Sequence, residues 1–115
     1  MNLALYGIPN CDTVKKARRW LDANGIAYAF HNYKKDGVPE HDLREWVSRL
    51  GWERLLNRSG TTFRKLPAEE KTNLDTDRAI ALMLAHPSAI KRPVAVRGDA
   101  LLVGFDPDAW VDALG

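Results

Sequence analysis

Leu3-Ala4-Leu5-Tyr6-Gly7-Ile8-Pro9-Asn10-Cys11-Asp12-Thr13-Val14-Lys15-Lys16-Ala17 reads as a strand, a turn and the opening of a helix. The apolar run 3–6 is closed by Gly7 and Pro9, which is the pattern of a short buried strand. Asn10 opens the helix. Val14, Ala17 and Leu21 share one face of it, while Lys15, Lys16, Arg18 and Arg19 fill the solvated one. Asn24-Gly25 supplies the stop. Residues 27–33 are rich in aromatics and read as a second strand, which ends in the turn Lys35-Asp36-Gly37. Strand, helix and strand in this order make a parallel βαβ unit, with Cys11 at the carboxyl end of the first strand, where such sheets build their sites.

Further along, Leu43, Trp46, Val47 and Leu50 fall at i, i+3, i+4 and i+7, and this amphipathic helix ends at Gly51. A broken basic stretch follows. The next helix spans 75–86, with Ile80, Met83 and Leu84 as its buried face, and Pro87 ends it. Strand character returns at Pro93-Val94-Ala95-Val96. Gly98-Asp99 makes a two-residue hairpin turn, and Leu101-Leu102-Val103 runs back. A last helix over 107–114 buries Trp110, Val111 and Leu114. The order predicts an α/β protein: a thioredoxin-like fold with an inserted helical subdomain and a mixed four-stranded sheet. One domain covers 1–115, with a thioredoxin-like core at 1–35 and 90–115 and a helical insert at 36–89.

The chain has 115 residues, an apolar fraction of 45% and a charged fraction of 28%, as in an ordinary globular domain. Its 17 basic and 15 acidic residues give a net charge of +2, which points to neither nucleic acid nor membrane as partner. Charge is uneven, however. Arg54, Arg58, Arg64 and Lys65 stand in 54–65 without an acid, and four acids without a base follow from Asp99 onward. The first residues carry no basic segment followed by an apolar one, and no apolar run approaches the roughly 18 residues of a membrane span. A single cysteine cannot form an internal disulfide, so the expected compartment is the reducing cytoplasm.

Cys11 is the candidate nucleophile. A thiol attacks as thiolate, so its ordinary pKa of about 8.5 has to fall. The unpaired N–H groups of a helix start favour the anion. Lys15, four residues on, is predicted to add positive charge on the same face, and Thr13 a hydroxyl hydrogen bond. A lone cysteine is commonly a small buried hydrophobe; placement at a strand–turn–helix junction favours the reactive reading. Val14 occupies the place of the second cysteine of a dithiol motif, so turnover needs an external thiol.

A second constellation is Ile90-Lys91-Arg92-Pro93. The Arg92–Pro93 peptide is a candidate for the cis form. Arg92 offers a planar fork to an anion at Cys11, or else Lys91-Arg92 is simply a solvated turn. His31, His41 and His86 lack metal-ligand spacing, so no metal is expected. Trp20, Trp46, Trp52 and Trp110 read as packing residues.

Three segments together, Asn10-Cys11-Asp12-Thr13-Val14-Lys15-Lys16-Ala17, Leu55-Leu56-Asn57-Arg58-Ser59-Gly60 and Ile90-Lys91-Arg92-Pro93-Val94, resemble the arsenate-reductase-like (ArsC) family, and within it the Spx and YffB branch. The resemblance implies a thioredoxin fold with a helical insert and a reactive cysteine after the first strand. In the arsenate reductases three arginines hold the oxyanion. Arg92 falls on one of these positions, and Arg58 on or beside another. The third lies where this chain has Leu101-Leu102-Val103-Gly104-Phe105, and Arg97 is the nearest base. Spx-like members bind RNA polymerase and sense redox state through a Cys-x-x-Cys pair, which Val14 removes here.

The YffB-type expectation is a glutathione-dependent monothiol reductase. Cys11 would be catalytic, and Asn10, Thr13, Lys15, Arg58, Arg92 and Pro93 would bind substrate or glutathione. Glutathione would be a co-substrate rather than a bound cofactor, with a glutaredoxin as a further partner. An Spx-like regulator that binds the RNA polymerase α-subunit is the alternative, and arsenate reductase the third reading.

Overall fold

The computed structural model describes residues 2–115. In chain order β1 (Leu3–Gly7), α1 (Asp12–Ala23), β2 (Tyr28–Asn32) and the one-turn α2 (Tyr33–Asp36) come first. They are followed by α3 (Glu40–Leu50), α4 (Trp52–Leu55), α5 (Thr61–Arg64), α6 (Ala68–Lys71), α7 (Thr76–Ala85) and a 3-10 turn at Pro87–Ala89. The chain ends with β3 (Val94–Arg97), β4 (Ala100–Val103) and α8 (Pro107–Leu114). It divides into two compact units. One runs to Asp36 and resumes at Arg92; the other is Gly37–Lys91.

In the first unit the strands form a four-stranded sheet, among the described residues, in the order β2-β1-β3-β4. β1 runs parallel to β2, with Leu3 opposite Tyr28 and Gly7 opposite Asn32. β3 is antiparallel to β1, with Tyr6 opposite Val94, and β4 returns antiparallel to β3. Strand alternation sends Leu3 and Leu5 to one face. There they join Ala95, Ala17 and Leu21 of α1, and Trp110 and Leu114 of α8, in one buried cluster. Each large apolar side chain buried this fully contributes about 1.5–3 kcal/mol. Trp110 also donates from Nε1 to the Gly104 carbonyl at 3.1 Å and meets Trp20 and Phe105 edge-on. Arg97 donates to the carbonyls of Leu114 at 3.2 Å and Ala113 at 3.5 Å, a cation at the C-terminal end of α8.

In the second unit α3 contributes Leu43, Trp46 and Val47 to the interior, and it contacts α4 and α7. Gly51, with φ of +89°, ends α3 in a conformation that other residues adopt only under strain. Asp75 caps α7 by accepting from the Arg78 N–H at 2.8 Å. Segments 55–57 and 89–91 pair as a short antiparallel bridge. The Asn57 N–H donates to the Ala89 carbonyl and the Lys91 N–H to the Leu55 carbonyl, each at 2.7 Å.

The sequence-based expectations need three corrections. β2 stops at Asn32 instead of reaching Tyr33, because the Asn32 Oδ1 accepts from the Lys34 N–H at 2.9 Å and turns the chain into α2. The buried face of α7 is Ala79, Ile80, Leu82 and Met83, and Leu84 is only half-buried. An apolar run of this length does not say which stripe faces inward. Val111 is 51% exposed. α8 inserts the i, i+4 pair Trp110 and Leu114, which turns Val111 to the flank.

Candidate active site

β1 ends at Gly7, and the chain reaches α1 through a short turn whose last residue is Cys11. Cys11 is the N-cap of α1, extended at φ −141° and ψ 125°, and its carbonyl accepts the first helical hydrogen bond from the Lys15 N–H at 2.9 Å. Half-buried, it keeps the access that a core cysteine lacks. Continuing the β1–β3 register beyond the Tyr6–Val94 pair brings Arg92 level with Ile8, at the same end of the sheet as the thiol.

Burial is the largest single influence on the Cys11 thiol and raises its pKa. Against it stand, in falling order, the Val14 N–H, a hydrogen bond from the Arg92 side chain, the Arg92 charge and the Thr13 N–H; the balance lies below the ordinary thiol value. None of the backbone contacts is a capping hydrogen bond of full geometry, so the N–H groups act on the sulfur as the positive end of the helix dipole. The result is a thiol disposed to ionise, with a guanidinium beside the anion it becomes.

The structure brings Cys11 and Arg92 together, and the solvated-turn reading of Arg92 gives way. The Arg92–Pro93 peptide is cis. Pro93 is buried, and its carbonyl accepts from the Gly104 N–H at 2.8 Å. The help expected from Thr13 comes in another form. The Lys15 ammonium does not figure among the groups that act on the thiol, and Thr13 contributes through its backbone N–H rather than its hydroxyl. Asn10, Thr13 and Lys15 are exposed beside the cysteine. Arg58 belongs to the other unit, where its guanidinium carbon lies 5.5 Å from the centre of the Trp52 ring. Two contributors leave almost no trace in the sequence: the Val14 N–H and the close approach at Gly7. Val14 shows only as an apolar position on a helix face, and the one signal at Gly7 is a glycine ending a strand.

The sequence pattern of the ArsC family matches residues 6–113. The chain belongs to the ArsC family. As an ArsC-family member it carries the mixed four-stranded sheet and thioredoxin-like fold with a helical insertion. A solved structure described as the YffB protein shares 54% identity, covering 99% of this chain and 100% of that one, with a TM-score of 0.96. An arsenate reductase (ArsC) related protein from Brucella melitensis is 52% identical over 99% of this chain and 94% of that one, with a TM-score of 0.77. The global transcriptional regulator Spx 1 of Lactococcus lactis is 28% identical over 90% of this chain and 82% of its own. Among the described residues of this ArsC-family chain no three His, Cys, Asp or Glu side chains gather as a metal site, and no helix is long and apolar enough to cross a membrane.

Proposed function

We propose that this ArsC-family chain is a glutathione-dependent monothiol oxidoreductase of the reducing cytoplasm. The observation that carries the reading is a single thiol, Cys11, at the N-cap of α1, whose pKa the Arg92 side chain and the start of α1 lower, in a chain with no second cysteine. The Cys11 thiolate attacks the glutathione sulfur of a mixed disulfide. The substrate leaves as thiolate, and Cys11 retains glutathione in a protein–glutathione disulfide. A second glutathione thiolate then attacks the glutathione sulfur of that disulfide, which releases oxidised glutathione and restores the Cys11 thiolate. One glutathione thiol is thereby consumed, and one oxidised glutathione released, for each mixed disulfide reduced. Arg92 stabilises the sulfur anion at the start and end of the cycle. Asn10, Thr13 and Lys15 face the incoming tripeptide with polar groups and one positive charge, and Pro93 shapes the floor.

Treatment with oxidised glutathione followed by mass spectrometry tests this. One glutathione adduct is expected on Cys11, released by excess reduced glutathione and absent from Cys11→Ser. An intact protein without adduct overturns the reading.

Similarity to Spx 1 supports a second reading, a regulator that binds the RNA polymerase α-subunit. Capture of that subunit equally by wild type and Cys11→Ser, without thiol transfer, would favour it. Arsenate reduction ranks third. The hairpin strand lacks an arginine, and Arg97 is engaged with the carbonyls of α8.

A further inference from the structure

Gly7 ends β1 in ordinary strand geometry and is buried, and it is not among the glycines with positive φ. Conformational freedom therefore does not call for glycine here; what remains is space. A Cβ at position 7 would lie 3.0 Å from Val14 Cγ2, 3.8 Å from Val14 Cγ1 and 3.7 Å from Arg92 Cβ. The approach to Arg92 is ordinary van der Waals contact. The approach to Val14 Cγ2 is too close to leave the neighbour in place.

Val14 has little room to yield. It is fully buried, it is β-branched and so nearly confined to one rotamer in a helix, and packed interiors pass such displacements on. The displacement goes to the first turn of α1, whose Val14 N–H acts on the Cys11 sulfur.

We propose that Gly7 is a positioning residue for the nucleophile: by lacking a Cβ it lets the first turn of α1 close on the end of β1, which sets the Val14 N–H and Arg92 against Cys11. Gly7 touches neither sulfur nor substrate and acts through Val14. The proposal rests on the thiolate reading of Cys11 given above.

The test is the pH profile of Cys11 alkylation by iodoacetamide in wild type, Gly7→Ala and the double variant Gly7→Ala/Val14→Ala, with circular dichroism to confirm folding. Gly7→Ala is expected to alkylate roughly threefold or more slowly at pH 6, because less of the thiol is ionised. The double variant, relieved of the clash but still carrying the backbone N–H at position 14, is expected to recover most of the wild-type rate. In urea all three should react alike. A wild-type profile at the ordinary thiol pKa removes the thiolate reading and this proposal with it. A lowered wild-type profile left unchanged by Gly7→Ala overturns the proposal alone, as does a double variant that stays slow. Should Gly7→Ala fail to fold, a folded double variant with near wild-type reactivity supports the proposal. An unfolded double variant overturns it, since Gly7 would then serve the fold and not the thiol.

Discussion

The side chain of Arg92 hydrogen-bonds the sulfur of Cys11, although most of the chain lies between them. Their meeting follows from strand direction. β3 runs antiparallel to β1, so the residues entering β3 stand where β1 ends and α1 begins. Arg92 supplies both a hydrogen bond and a charge to the sulfur, and each favours the anion over the thiol.

Arg92→Met removes both contributions while keeping much of the side-chain volume. The Cys11 pKa is expected to rise, and alkylation at pH 6 to slow about threefold to tenfold. Arg92→Lys should fall between, since an ammonium restores the charge but not the planar fork. An unchanged rate in Arg92→Met would leave the helix start as the sole activator.

A lowered thiol pKa also enters folding stability. In the unfolded chain Cys11 returns to its ordinary value, so between the folded and unfolded pKa values the unfolded state binds more protons, and stability rises with pH. The contribution is fully present above the unfolded pKa and lost as pH falls through the folded one. Urea unfolding of wild type and Cys11→Ser from pH 6 to pH 9 should show wild type gaining on the variant as pH rises. A constant difference would show that the thiol titrates alike in both states.

Asp75 is the only side chain accepting from the Arg78 N–H in what is described of the start of α7. Asp75→Ala is expected to cost about 1 kcal/mol, read as a lower urea midpoint with an unchanged slope. Asp75→Asn, which keeps an acceptor, should recover most of it.

Two neighbours on α8 should behave in opposite ways. Trp110 is buried in the cluster that includes Leu3, Leu5 and Ala17, and Trp110→Ala is expected to destabilise by about 3–5 kcal/mol. Val111 is exposed, and Val111→Ala should stay within about 0.5 kcal/mol. Thermal melts of the two variants decide the matter.

The βαβ opening was legible because each signal was local. Val14, Ala17 and Leu21 mark one helix face, and all three are buried; Gly98-Asp99 marks the hairpin turn that joins β3 to β4. The cysteine's position at a helix start was legible for the same reason. Elsewhere the determining contact is tertiary. Val111 and Leu84 are apolar residues on apolar helices, and only the partner surface decides that they lie on the flank. Helical spacing points to Lys15 as a source of charge, but Cys11 is the N-cap of α1 and the charge that acts on its sulfur is that of Arg92. No spacing along α1 can reveal that residue.

The bridge between β1 and β3 has a consequence for synthesis. The ribosome releases Cys11 early and the Arg92-bearing segment late, with the whole span Gly37–Lys91 in between. Until β3 docks, the sulfur lacks its guanidinium, and only the start of α1 is in place to favour the anion. The full set of groups that favour the Cys11 anion thus assembles only after segments on both sides of that span have paired.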